Sequence, residues 1–405
     1  MSLRLEHQGQ MCLVVMQRFP QELIDLVLDQ VADSDRDHKR GALRRPPPSI
    51  TTCGLVCKQW LPRSRLHVFS TMVLFGSRLR SLLDLEAKSS SLSLLSLARH
   101  LFLVFWNDIS SKDMSRLRTC LNLTHLELCF PPSSTEEWDL FLGTHLPFLG
   151  AHCVSLSSLK LSPCEKSAVS LRVIVDILVC LPSLSAFQLE GQSCSIIEAE
   201  IPLSHSCPPC LQTLKIEVKH GAEILFGWFL SLAVGLRIKS LTLLDPEGWD
   251  NPTVPTADSL VSYFQRFGSR LEFLAIWPHR ASFNGNEPSG ILKYATSLRH
   301  LKLYCQPVSS VLTMLSALPS SNLFTLAIEL DVNLDRGRVD TVSNMDRVPY
   351  ALIDEALAHP RFHSLKSFSL GYGGGDHGPR SLLTRNAKAL MPLAKARRIL
   401  HRYHA

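Results

Sequence analysis

The chain lacks most of the features that mark a secreted, membrane-spanning, nucleic-acid-binding or catalytic protein. No Lys/Arg run exceeds two residues, and a net charge of +6 is mild for 405 residues. Nucleic-acid binders carry denser basic stripes, so nucleic acid is not an expected partner. The longest uncharged apolar stretch, residues 224–236, has 13 residues, too few to span a bilayer. Near the N-terminus only residues 11–16 form an apolar run, behind Glu6, so the apolar segment of a secretory signal is missing. A cytoplasmic or nuclear location with no membrane partner is the expectation. The 12 cysteines are scattered without a framework spacing. In a reducing compartment they read as small buried apolar residues, and no disulfide is expected.

Catalytic signatures are absent as well. GxSxG, HExxH and GxxxxGK[ST] do not occur. Cys207-Pro208-Pro209-Cys210 is a CxxC, but no second Cys or His pair lies at metal-site spacing and no thioredoxin-like helix follows. Residues 373–378 satisfy GxGxxG, yet 27 residues later the chain ends without the second strand and acidic residue that a dinucleotide fold needs. His359 and His363 stand four apart, but Pro360 between them argues against a metal-binding helical face. No catalytic residue, cofactor or metal is expected, and the chain reads as a non-enzyme.

What the chain has is leucine, in a recurring Leu-x-x-Leu-x-Leu pattern with apolar substitutions. The copies are Leu123/Leu126/Leu128, Leu156/Leu159/Leu161, Leu184/Phe187/Leu189, Leu211/Leu214/Ile216, Ile238/Leu241/Leu243, Leu271/Leu274/Ile276, Leu298/Leu301/Leu303, Leu323/Leu326/Ile328 and Leu365/Phe368/Leu370. A weaker one ends at Leu101/Leu103. Successive copies lie 25 to 33 residues apart, except for a last step of 42. One short strand alternates its side chains, so the middle and last leucines point inward. A single unit cannot bury that face, whereas stacked units bury a continuous core and align their strands in a parallel sheet. Between the strands, Trp138/Phe141/Leu142, Ile174/Ile177/Leu178, Leu225/Trp228/Phe229, Leu260/Phe264/Phe267 and Val311/Leu315/Leu318 have helical spacing. An ordinary α/β domain with parallel strands is the alternative.

Over residues 97–371 the pattern resembles the leucine-rich-repeat family, which implies an α/β solenoid with strands on the concave face and helices on the convex face. The family's Asn or Cys, three positions after the last leucine, is mostly replaced: Pro131, Cys164, Gln192, Lys219, Pro246 and His279 stand there, and only Cys164 fits. That departure puts the family's regular hydrogen-bonded ladder in question.

Residues 18–69 differ in character. Leu23, Ile24, Val27, Leu28 and Val31 are expected to form one apolar face of a helix beginning near Pro20. A polar, proline-rich loop is expected at residues 33–49, then a second helix carrying Leu55, Val56, Cys57 and Trp60. Phe19-Pro20-x-Glu22-Leu23-Ile24 and Leu55-Val56-Cys57-Lys58-x-Trp60, in this order ahead of repeats, resemble the two motifs of the F-box, particularly the fungal type. The run from Arg63 to Phe69 looks like the segment that leaves that module. The resemblance implies a non-catalytic, substrate-recruiting subunit of a cullin-RING ubiquitin ligase. It would dock a Skp-type adaptor through Phe19, Pro20, Leu23, Ile24, Val27, Leu55, Val56 and Trp60 and recruit a target protein through its repeats. A repeat scaffold whose N-terminal helices cap the solenoid, with no ligase role, is the alternative.

The expected organisation is an N-terminal tail at 1–17, the helical module at 18–69, the solenoid at 70–371, and a Gly-rich turn with a capping helix at 372–405. The last segment is basic and amphipathic. A membrane- or nucleic-acid-binding helix is its other reading. Alternation also predicts where a target would bind. With Leu274/Ile276 and Leu301/Leu303 inward, Phe273, Ala275 and Trp277 face out beside His300, Lys302 and Tyr304, with Leu244 on the far flank of Trp277. Aromatic rings beside a lysine have the composition of a binding hot spot, unless connecting segments cover them.

Overall fold

The computed structural model describes residues 21–37, 48–55, 60–88, 94–104, 122–130, 150–163, 168–201, 207–232, 236–244, 256–276, 289–305, 309–319, 322–331, 350–373, 387 and 389–400. Two compact units divide the chain: Met1–Cys129 with Phe148–Leu156, and Phe130–Pro147 with Ser157–Ala405. Both are built from parallel strands and helices, an α/β architecture.

The first unit opens with helices α1 (Gln21–Asp37), α2 (Pro48–Cys53) and α3 (Leu61–Ser70). Ile24, Leu28 and Ala32, spaced at i, i+4 and i+8, are buried against Ile50, with Val31, Cys53, Trp60 and Val68 around them. Asp29 ties α1 to α3. Its carboxylate accepts from Arg63 Nε at 2.8 Å and Nη2 at 2.6 Å, and it lies 2.7 Å from His67 Nε2. The Arg63 hydrogen bond pulls the Asp29 carboxyl down to about 2, against the opposing effect of partial burial.

Two local expectations are corrected here. Residues 33–37 continue α1 and residues 48–49 open α2, where a loop was expected over 33–49. A helix already ends at Cys53, and Leu55, expected on the second helix, stands with Gly54 in a turn, while Val56 and Cys57 lie outside the described residues. Pro48 explains the early start, because its fixed φ suits the first helical position and its missing N–H costs nothing there.

α3 runs straight into β1 (Thr71–Phe75), followed by α4 (Gly76–Lys88), β2 (His100–Val104) and β3 (His125–Phe130). Met72, Leu101 and Leu126 are in register across these parallel strands. β1 is a strand the leucine pattern did not reveal, since Phe69-x-x-Met72-x-Leu74 keeps only its last leucine.

The second unit repeats one arrangement. Its strands are β4 (Ser158–Pro163), β5 (Ala168–Ser170), β6 (Ala186–Ile197), β7 (Thr213–His220), β8 (Ser240–Leu244), β9 (Phe273–Ile276), β10 (His300–Cys305), β11 (Thr325–Asp331) and β12 (Ser367–Gly373). They follow chain order without closing into a barrel, apart from β5, which pairs with the far half of β6. Leu159, Phe187, Leu214, Leu241, Leu274, Leu301, Leu326 and Phe368 are successive in-register partners. All eight are buried, so the middle leucine of each sequence copy marks one continuous core row.

A backbone device repeats at each strand start. The carbonyls of Ser157, Ser185, Gln212, Lys239, Glu272, Arg299 and Phe324 each accept two N–H groups of the next repeat, at 2.7–3.0 Å. This ladder uses backbone groups alone.

Helices α5 (Leu171–Cys180), α6 (Ala222–Ser231), α7 (Thr256–Phe267), α8 (Ser289–Leu292), α9 (Ser309–Ala317) and α10 (Tyr350–Ala358) connect the strands. Arginines satisfy carbonyls at the ends of preceding helices: Arg266 bonds Leu230 O at 2.6 Å, and Arg361 bonds Ser316 O at 2.9 Å. Gly221 opens α6 with φ +88°, and a Cβ there would lie 2.1 Å from Ile196 O. Glycine is required at that point.

After β12, the chain returns along its edge. Phe368 N–H donates to Ile399 O at 2.6 Å, and Leu400 forms a parallel bridge with Phe368. The short helix α11 (Pro392–Ala396) is capped from α10: the buried Asp354 carboxylate accepts from Leu393 N–H at 2.9 Å and Ala394 N–H at 2.8 Å. Among the described residues, no helix is long and apolar enough to cross a membrane.

Candidate interaction surfaces

Helix α1 has two apolar faces, not the single one expected from sequence. Ile24, Leu28 and Ala32 are buried, while Leu23, Leu26 and Val27, at i, i+3 and i+4, are 49%, 67% and 50% exposed. Leu55, in the turn after α2, is 84% exposed. Large apolar side chains that a small module leaves in water, side by side on one helix, are characteristic of a surface that another molecule covers. Of the residues expected to meet an adaptor, Leu23, Val27 and Leu55 are exposed, Ile24 is core, and Trp60 is half-buried at the core's border. Phe19, Pro20 and Val56 lie outside the described residues. Leu26 was missed because the 3.6-residue period was read as one stripe, whereas seven apolar residues in this helix supply two.

The outward face of β4–β12 pairs its charged residues with one another. Lys160 and Lys215 both reach Glu190, at 2.7 and 2.6 Å, and Lys215 also lies 3.6 Å from Glu217. Burial alone would raise the Glu190 carboxyl, but the two ammonium groups hold it below its ordinary value. Farther along, Lys302 sits 2.8 Å from Glu329 and 4.7 Å from the centre of the Tyr304 ring. Burial opposes the lysine's charge there; Glu329 and Tyr304 outweigh it and raise the Lys302 ammonium. Burial also pushes the Tyr304 hydroxyl up.

The register places Phe273 opposite His300 and Ala275 opposite Lys302. Phe273 and Tyr304 are half-buried, His300 is exposed and within 2.7 Å of Thr325 Oγ1, and Ala275 is buried. Trp277, with its expected place beside Tyr304, lies outside the described residues. Lys302 is therefore engaged by its own neighbours and covers the Tyr304 ring.

The outward face of β1–β3 is different, and sequence reading did not single it out. His100 and His125, in register on β2 and β3, stack with centroids 4.1 Å apart and an interplanar angle of 5°. Above them Val73 pairs with Phe102, and Phe75 with Val104. Reading the outward positions of every copy, including the weak first ones, would have shown this apolar set.

Other motifs carry no visible chemistry. Burial pushes the Cys207 thiol up to about 12, so it is not a thiolate at neutral pH. His359 accepts from Arg361 N–H, and His363 Nδ1 lies 3.1 Å from Pro360 O. Each ring thus serves its own turn. Among the described residues, no group of three or more His, Cys, Asp or Glu could hold a metal ion.

No protein-family model matches the chain, and no curated protein matches it either.

Proposed function

We propose that the chain is a non-catalytic, substrate-recruiting subunit of a cullin-RING ubiquitin ligase, an F-box module followed by irregular leucine-rich repeats. The observation that carries this reading is the exposed apolar face of α1, Leu23, Leu26 and Val27, within the same segment as the two F-box-like motifs. Those side chains and Leu55 would contact the Skp-type adaptor, while Ile24 and Trp60 seat the helix from inside. The repeats would hold a target protein near a ubiquitin-charged enzyme carried by other subunits, raising its effective concentration. The chain itself needs no catalytic group for that role, and a cytoplasmic or nuclear location suits it.

A pull-down with purified Skp-type adaptor tests this. Wild type is expected to bind, and Leu23→Asp/Val27→Asp to lose binding with its melting temperature unchanged, since both side chains face solvent. Failure of wild type to bind, or equal binding by the double variant, refutes the reading.

One observation favours the scaffold alternative: α3 ends at Ser70 and β1 begins at Thr71 with no linker, and Ser70 O accepts from Arg99 N–H at 2.9 Å. If the helices only cap the repeats, a chain beginning at residue 70 aggregates. A soluble, folded truncation counts against that alternative.

A further inference from the structure

The strand-start ladder sets one residue of each repeat in a row across the sheet, and the charge along that row is uneven. Before β4, β6 and β7, the turns at residues 150–157, 181–185 and 207–212 contain no Lys, Arg, Asp or Glu. The turns before β8, β9, β10 and β12 carry Arg237, Lys239, Arg270, Lys293, Arg299, Arg361 and Lys366 against a single acid, Glu272, while the turn before β11, residues 318–324, has no charged residue. All of these cations except the half-buried Arg361 are exposed. Arg270 and Arg361 bond backbone carbonyls, Leu236 O at 2.6 Å and Ser316 O at 2.9 Å, and so hold their charge against the same edge. Glu272 and Lys239 offset each other, the carboxylate lying 2.9 Å from Lys239 Nζ, so the net positive charge of the edge comes from the other six cations.

We propose that this strand-start edge of β8–β12 is a docking strip for an acidic, extended polypeptide segment. Charge complementarity selects an acidic partner. The spacing selects an extended one. Arg299 and Lys366, immediately before β10 and β12, and Lys239, shared with Glu272 before β8, recur at every second strand of the row β8, β9, β10, β11, β12, roughly 10 Å apart at about 4.8 Å per strand. An extended chain of the polyproline II type, with about three residues per turn and about 3.1 Å per residue, brings every third side chain to the same side at about that spacing. Nucleic acid fits less well. A duplex carries a charge every ~1.7 Å along its axis, far denser than this row. Single strands need aromatic platforms, and here Lys366 covers the ring of Phe324 at 5.2 Å. The strip is distinct from the α1 face, and its test needs no adaptor.

Fluorescence anisotropy of the full chain with fluorescein-labelled (Gly-Ser-Glu)4, its Gln counterpart and a dT12 oligonucleotide tests the proposal. The acidic peptide should bind at least about tenfold more tightly than the Gln peptide at low salt and weaken as salt rises. Arg299→Glu/Lys366→Glu should lose about tenfold or more, Arg299→Gln/Lys366→Gln a smaller factor, and Arg172→Glu on α5 nothing. No binding by the unaltered chain, equal binding of both peptides, or full binding by a folded charge-reversed variant overturns the proposal. Tighter binding of the oligonucleotide overturns it in favour of a nucleic-acid surface.

Discussion

The outward faces of β1–β3 and β4–β12 alternate with the same period but differ in chemistry. In the first unit Val73, Phe75 and Phe102, with a stacked histidine pair and the single charged residue Glu127 opposite Phe102, stand where the second unit places Lys160, Glu190, Lys215, Lys302 and Glu329 in mutual ion pairs. The inward rows of the two are alike: Met72, Leu101 and Leu126 in one, Leu159 through Phe368 in the other, all buried. Inward positions answer to a shared constraint, close packing on the helices, and vary little. Outward positions are released from it and can differ according to what each face must meet or keep away.

The strongest test of this contrast removes an inward ring. Phe187, fully buried in the core row, should cost about 3–5 kcal/mol when changed to alanine. Phe102→Ser on the outward face of the first unit should cost under about 1 kcal/mol and lower the binding of a hydrophobic dye. Urea denaturation of the full chain measures both. Similar losses would mean that the outward rings are core as well.

Gly221→Ala comes next, because it strains the passage from β7 into α6 and the new Cβ meets Ile196 O. A loss of about 3 kcal/mol is expected, measured in the same way. An unchanged midpoint would show that the repeat can rearrange around that carbonyl.

Ion pairs should rank by burial. A double-mutant cycle on Lys302 and Glu329, whose side chains are 30% and 9% exposed, should give a coupling of about 1 kcal/mol. The pair Arg172 and Asp176 on α5, at 3.6 Å with the arginine 61% exposed, should give about zero. Equal couplings would remove the distinction between the outward face and ordinary surface.

The smallest expected effect is pH dependence in the first unit. Burial lowers the His125 pKa below its ordinary value, so the folded state binds its proton less readily than the unfolded one. Stability is therefore complete above about pH 6.5 and declines as pH falls from there through the lowered folded value. A proton on either stacked ring also faces its neighbour. His125→Phe should flatten the thermal stability of this unit between pH 7 and 5. An unaltered slope would assign the dependence to another group.

Much of this could be read from the sequence, because a leucine at a fixed offset has only one way to be buried in a stack of equal units. The middle positions of the copies became in-register partners, and four of the five helical spacings coincide with α5, α6, α7 and α9; the fifth, at 138–142, lies outside the described residues. The weak point was local: β1 keeps too few leucines to show, and α1 is apolar enough to look like one stripe.

Sequence by itself determined the period, the inward row and the absence of a bilayer-length apolar segment, since these depend on residue type and spacing alone. Only the tertiary structure decided which apolar residues of α1 stay in water, that Lys302 is engaged by Glu329, and that cations from four turns share one edge. Those outcomes rest on contacts between residues far apart in sequence, such as Leu28 with Ile50 and Lys302 with Glu329, and spacing along the chain carries no information about which of several compatible neighbours a side chain will meet.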